Sequence, residues 1–227
     1  PVTAADQATE EFIRGEIAKN FPTHTIVGEE FGESTSPSGR GARGEGGNPF
    51  RWIVDPIDGT KSFIKGVPFY SGLIALEIEG VSRVGAVFFP ALDEILYAAD
   101  GLGCWWNGKR VRVSEVSDLK QAVFCYTSWS GFRTMKRLTV FERFHKEFFY
   151  GRSWGDAYGY HMGATGRGGV MLDPSIMIWN VAPFAPIMRE AGGYFGSWSG
   201  KGGHTHGEAL TCNAALKRKF LNLIRGE

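Results

Sequence analysis

Two carboxylates three residues apart mark the most reactive-looking stretch of the chain, Trp52-Ile53-Val54-Asp55-Pro56-Ile57-Asp58-Gly59-Thr60. An apolar, strand-like run stops abruptly at Asp55-Pro56, and the proline fixes φ so that Asp55 and Asp58 can face one point. Gly59 and Thr60 follow with backbone N–H groups and a hydroxyl at a helix start, which suits an anion. Hard oxygen ligands beside an anion cradle are what Mg²⁺-assisted phosphoryl transfer requires. An Asp-Pro-x-Asp-Gly string alone is also a common turn. Two further polar groups make a shared centre the stronger reading. Glu29-Glu30 ends another short apolar run, and Asn180 lies in Ile178-Trp179-Asn180-Val181-Ala182-Pro183 at a helix start.

The surrounding sequence indicates the elements that hold these groups. Thr3 caps a helix over Ala5–Lys19, with Phe12, Ile13 and Ile17 on one face. Thr25–Val27 reads as a strand leading to Glu29. Residues 32–49, rich in Gly and Pro, read as a mobile loop or hairpin before the strand Arg51–Val54. Leu73–Glu79, Val84–Phe89, Glu94–Ala99 and Val111–Val113 read as an antiparallel meander. In the second half Ala122–Tyr126, Gly169–Leu172 and Tyr194–Gly196 read as strands. Helices are expected over Arg133–Phe149, over Val181–Ala191 closed by Gly192-Gly193, and over Asn213–Ile224 capped by Asn213. A β-rich half, residues 1–113, thus joins an α/β half, residues 114–227, in one compact catalytic unit.

These residues resemble the inositol monophosphatase superfamily of Mg²⁺-dependent sugar-phosphate phosphatases. The likeness rests on Val2-Thr3-Ala4-Ala5-Asp6, Gly28-Glu29-Glu30, the Trp52–Thr60 string and the Trp179–Gly193 segment, so it spans nearly the whole chain. It implies a layered αβαβα sandwich and a homodimer. It also implies two or three Mg²⁺ ions. Glu29, Asp55 and the Ile57 carbonyl would hold the first ion. Asp55, Asp58 and position 180 would hold the second, and a third would sit near Glu29. By the same resemblance Asp6 and Thr60 orient and deprotonate the attacking water, with Glu29 also in the catalytic group. Asp58 and the N–H groups of Gly59 and Thr60 hold the phosphate. Two cations about 4 Å apart can clamp the entering and leaving oxygens of an in-line displacement. In the family, position 180 is normally Asp. Asn180 supplies an oxygen without a charge, so the second cation site should be weaker and hydrolysis slower. An engineered substitution, natural variation and a degraded enzyme all remain open readings of Asn180. The family usually carries another helix before the Val-Thr segment, so the expectation is either a fragment or a numbering that omits that helix.

The alcohol is a separate question. Gly155-Asp156-Ala157-Tyr158-Gly159-Tyr160, Ala164-Thr165-Gly166-Arg167 and Lys61–Gly66 resemble the histidinol-phosphate phosphatase branch. Its substrate carries an amine and an imidazole, so Asp156 and Asp173 are candidates for contacting it, with a loop cap and a plain turn as the alternatives. Arg152 either helps neutralise the phosphate or anchors this segment. Hydrolysis of L-histidinol phosphate in histidine biosynthesis is the leading expectation. Inositol-1-phosphate and other sugar or nucleotide phosphates follow, and a catalytically weakened binding protein is the non-enzymatic alternative. The basic residues of 133–146 read as a solvated helix face, and the pair His204/His206 as surface or loop packing.

Composition limits the other classes. The 227 residues carry 25 Lys+Arg against 24 Asp+Glu, which leaves no electrostatic footprint for nucleic acid. A chain this long buries roughly 70% of its unfolded surface and needs no disulfide framework. Cys104, Cys125 and Cys212 form no CxxC, which points to a reducing, cytoplasmic setting. No apolar run approaches the roughly 20 residues that span a bilayer, and no signal peptide opens the chain.

Overall fold

A computed structural model describes residues 2–35 and 48–227. The first half builds one eight-stranded sheet from β1 (Thr25–Gly28), β2 (Gly32–Thr35), β3 (Phe50–Asp58), β4 (Ser71–Ile78), β5 (Val81–Phe89), β6 (Glu94–Ala99), β7 (Gly103–Trp106) and β8 (Lys109–Val111). Their order is β2-β1-β3-β4-β5-β6-β7-β8. In this sheet only the β1–β3 pair is parallel; the meander expected from Leu73 onward is antiparallel, and β3 and the unexpected β7 belong to it. The second half builds a five-stranded sheet, ordered β10-β9-β11-β13-β12, from β9 (Val123–Cys125), β10 (Tyr150–Arg152), β11 (Val170–Asp173), β12 (Gly193–Gly196) and β13 (Ala209–Asn213).

Eight helices complete the described residues: α1 (Ala4–Asn20), α2 (Thr60–Ile64), α3 (Trp129–Thr134), α4 (Leu138–Glu147), α5 (Asp156–Ala164), α6 (Ile178–Val181), α7 (Phe184–Glu190) and α8 (Lys217–Arg225). Successive residues of β3 face opposite sides of the sheet, and this sets the layering. Val54 packs with Ile17 of α1, whereas Ile53 packs with Ala182 and the α6 residues Ile178 and Trp179. The main core lies between the sheets, where Tyr160 of α5 and Phe184, Ile187 and Met188 of α7 join Val87, Phe89, Leu96, Met171 and Phe195. On the far side of the second sheet, Phe144 of α4 and Phe220 of α8 cover Phe124, Leu172 and Leu210. The result is the expected αβαβα sandwich.

Several elements differ from their sequence-based expectations for local reasons. The strand through Trp52 does not stop at Asp55-Pro56; β3 continues to Asp58. Gly32–Thr35 is not loop but β2, paired antiparallel with β1. Residues 36–47 of the expected loop lie outside the described residues. The single helix expected over Arg133–Phe149 is two, because Lys136 takes a left-handed φ of 57° between α3 and α4. Pro183, which has no N–H, divides α6 from α7. Asn213 ends β13 instead of starting a helix; its Oδ1 accepts from Leu216 N–H at 3.0 Å, ahead of α8. His204 is not on the surface: it is buried and bonded to Glu77. The Cys104, Cys125 and Cys212 thiols are buried, and burial pushes each up to about 12, so they are inert at neutral pH.

His161 in α5 is fully buried and stacks on Phe89 at 5.0 Å between ring centres. Glu94 Oε2 lies 3.4 Å from its Nδ1, but without hydrogen-bond geometry. Burial, helped by the Arg167 cation 3.3 Å from Nε2, wins and holds the imidazole down to about 3. The unfolded chain therefore takes up a proton below pH 6.5 that the fold refuses until about pH 3, and stability declines as pH falls through that window. Urea denaturation at pH 7 and pH 5 should show His161→Phe losing about 2 kcal/mol less than the unsubstituted chain. Equal losses would show that the ring is charged in the fold.

Candidate active site

The bulge in β3 creates the site. Asp55 pairs with Leu73 and Asp58 with Ser71, so three steps on β3 meet two on β4. In a regular strand, residues three apart point to opposite faces. The extra residue cancels that alternation, and Pro56, which has no N–H, is tolerated there. Asp55 and Asp58 are buried, and both carboxylates reach the same Asn180 amide: Nδ2 lies 2.7 Å from Asp55 Oδ2 and 3.4 Å from Asp58 Oδ1. Asn180 Oδ1 accepts from Met177 N–H at 3.3 Å, which orients the amide.

β1 runs parallel to β3 and delivers Glu29 beside this pair. Glu29 N–H donates to Val54 O at 3.2 Å, and its carboxyl lies within hydrogen-bond reach of Asp55. Burial raises Asp55 well above the usual carboxylate range, and repulsion from Asp58 and Glu29 adds to it. Burial likewise raises Asp58, with Asp156 the next cause, and Glu29 is raised too. Asp55 Oδ1 is buried with no hydrogen-bond partner. An orphaned oxygen and three acids that resist ionising together are what a divalent cation would satisfy, and every donor is a hard oxygen. The residues present therefore fit such an ion. Among the described residues no three acidic, His or Cys side chains close into a ligand cage on their own. Asn180 Nδ2, a donor, lies between Asp55 and Asp58 instead.

The anion cradle follows directly. Gly59 has φ 80°, a left-handed conformation that favours glycine, and a Cβ there would lie 3.2 Å from Phe69 O and 3.5 Å from Asp156 Oδ2. Thr60 opens α2; its hydroxyl lies 3.1 Å from Ile57 O and 3.5 Å from Asp6 Oδ1. The other Asp6 oxygen accepts from Thr3 N–H at 2.8 Å in a capping box that starts α1. Asp6, Thr60 and the Ile57 carbonyl thus lie together, a juxtaposition the resemblance implied and no short spacing could show.

The expected substrate residues divide. Gly155–Tyr160 is not a loop but leads into α5. Asp156, at φ 52°, sits at the start of that helix, and the next N–H, of Ala157, donates to Asp58 Oδ2 at 2.6 Å. Burial raises Asp156, partly offset by Lys61. Asp173 is 2% exposed, takes a 2.7 Å bond from Tyr160 O–H and another from Thr127, and is pushed up to about 6 by burial. The Arg152 guanidinium lies 4.6 Å over the Tyr150 ring and bonds Gly151 O; neither contact is to the carboxylates. Sequence reasoning missed Thr127, whose hydroxyl accepts Asp156 N–H at 3.1 Å and which also binds Asp173. No local signal marks it, because its partners lie 29 and 46 residues away.

Comparison with known proteins places this arrangement. Residues 1–225 match the model of the inositol monophosphatase family. A histidinol-phosphatase of Chlorobaculum parvum is 37% identical over 225 residues, 99% of this chain and 83% of that protein. A fructose-1,6-bisphosphatase/inositol-1-monophosphatase of Thermotoga maritima is 36% identical over 202 residues, 88% of this chain and 72% of that protein. The solved structure of an inositol monophosphatase from Anabaena superposes with a TM-score of 0.85 at 28% identity, covering 99% of this chain and 86% of its own.

Proposed function

The chain belongs to the inositol monophosphatase family and is a phosphomonoester hydrolase, and on that premise we propose that it is a Mg²⁺-dependent phosphatase of L-histidinol phosphate. Glu29, Asp55, the Ile57 carbonyl, Asp58 and Asn180 Oδ1 would hold two or three ions. Asn180 must turn its amide to do so, because its nitrogen now faces the acids. When bound, Mg²⁺ supplies positive charge against the phosphate and lowers the pKa of water.

The chain's own residues do the rest. Backbone N–H groups of Gly59 and Thr60 hold phosphate oxygens. Thr60 Oγ1 orients the attacking water and takes its proton while passing its own to Asp6 Oδ1, 3.5 Å away.

The observation that carries the substrate choice is Asp156, whose Oδ2 lies 3.5 Å from the Cβ position of Gly59 in the cradle. An acid at that rim suits an alcohol bearing an amine and an imidazole more than inositol, whose hydroxyls can donate to it but bring no positive charge. Asp173, fully engaged by Tyr160 and Thr127, supports Asp156 through Thr127. In the same reading Arg152 acts only as an anchor of β10. Phosphate release should be measured from histidinol phosphate, inositol-1-phosphate, fructose-1,6-bisphosphate and AMP. The first should lead in kcat/KM. Asp156→Asn should lower it about tenfold, worth about 1.4 kcal/mol, and leave inositol-1-phosphate nearly unchanged. Equal or better turnover of inositol-1-phosphate would overturn the assignment in favour of the activity named for the Thermotoga relative.

The reading includes a cytoplasmic homodimer. Among the described residues no helix is long and apolar enough to cross a membrane. Phe88, Ile95, Tyr97 and Leu102 leave apolar surface exposed on the first sheet and the turn after β6, which supports self-association.

A further inference from the structure

Glu10 has no part in the chemistry described above, yet it is fully buried in α1, one turn beyond Asp6. Its Oε2 accepts Glu30 N–H at 2.8 Å and its Oε1 accepts Phe31 N–H at 3.3 Å. Arg14 donates to Oε1 at 2.8 Å and also reaches Gly32 O and Ser34 Oγ on β2. The fit is close, since a Cβ on Gly28 would stand 2.0 Å from Glu10 Oε1. With Glu29 N–H bonded to Val54 O, the backbone is therefore pinned on both sides of Glu29. A carboxylate that accepts two backbone N–H groups and an arginine makes strong, directional bonds.

We propose that Glu10 is a positioning residue for Glu29: by holding the turn after β1 it fixes where the Glu29 carboxylate meets Asp55, and so sets the affinity for the divalent cation. The inference rests on the proposed cation-dependent function. It gives Glu10 a role beyond stability, because groups that orient metal ligands commonly change affinity by 10- to 100-fold.

The test is Mg²⁺ binding by isothermal titration calorimetry, read beside the melting temperature in chelator. Glu10→Gln keeps the shape but weakens the clamp, and should raise the Mg²⁺ Kd five- to tenfold. Arg14→Gln loosens the same clamp from its exposed side; it should raise Kd at least twofold and decides the matter if Glu10→Gln does not fold. Glu77→Gln breaks the buried Glu77–His204 pair, touches none of the acids, and should lower the melting temperature without moving Kd. A Kd unchanged in Glu10→Gln, or in Arg14→Gln where Glu10→Gln does not fold, overturns the proposal while the function stands. A Kd that rises equally in Glu77→Gln also overturns it, because the effect would then be general destabilisation. An unsubstituted chain that binds no Mg²⁺ overturns both readings.

Discussion

Asp55→Asn is expected to abolish turnover and, in the same protein, to stabilise the cation-free fold. Asp55 lies in the middle of the acid cluster: its Oδ2 meets Asn180, its carboxyl meets Glu29, and Asp58 stands across the bulge. Removing its charge removes the centre of the cation site, so kcat/KM should fall at least about 10³-fold, or about 4 kcal/mol. Without a cation the same charge is a liability. Burial and repulsion raise the folded pKa of Asp55 well above its unfolded value, so ionisation costs the fold stability as pH rises past that unfolded value. The amide that replaces this carboxylate could instead donate to Glu29 while still accepting from Asn180, leaving no orphaned oxygen. The gain in chelator should be about 1–3 kcal/mol at pH 8 and should shrink toward pH 3, below the unfolded carboxyl's ordinary value, where both states bind the proton. Differential scanning calorimetry at both pH values checks the sign. A lower melting temperature for Asp55→Asn at pH 8 in chelator would show that the acids are not in conflict.

This opposition between stability and chemistry explains what was legible in the sequence. The Asp55-Pro56-Ile57-Asp58-Gly59-Thr60 string announced its chemistry because residue types and short spacings carry it. Thr3 announced a helix start as its cap, and the meander after Leu73 followed from β-rich runs and turns. The bulge was not legible, because it exists only in the pairing of Asp55 with Leu73 and Asp58 with Ser71. The short strand β13, Ala209–Asn213, is buried throughout, so it lacks the alternation that marks a strand with one wet face. α5 was hidden because Gly155-Asp156-Ala157-Tyr158-Gly159 is glycine-rich and has no amphipathic stripe; six of its nine residues are buried and none is fully exposed. Nothing local in the sequence sets Glu10 apart from the other charges of its helix. Only the fold shows it facing the backbone of Glu30 and Phe31.

Asn180→Asp should act with the opposite sign from Asp55→Asn in both measurements. The Asn180 amide currently donates to Asp55 at 2.7 Å and, more weakly, to Asp58 at 3.4 Å, so it stands between two acids where a cation would otherwise be needed. An aspartate there exchanges that donor for a fourth nearby carboxylate. In chelator the loss of a buried hydrogen bond to a charged group, plus the new repulsion, should cost about 2–3 kcal/mol. That corresponds to a fall of roughly 4–12 °C in melting temperature for a domain of this size. With Mg²⁺ present the added charge becomes a ligand. Kd for the cation should tighten about tenfold or more, and a saturating concentration should recover and exceed the lost stability by mass action. Turnover at low Mg²⁺ should rise with it. The pair of signs is what distinguishes a cation site held partly closed by an amide from an acidic cluster with no affinity for metal. If Asn180→Asp lowers the melting temperature in chelator and Mg²⁺ neither restores it nor binds more tightly, position 180 lies outside the cation site. The weakening attributed to Asn180 must then be abandoned.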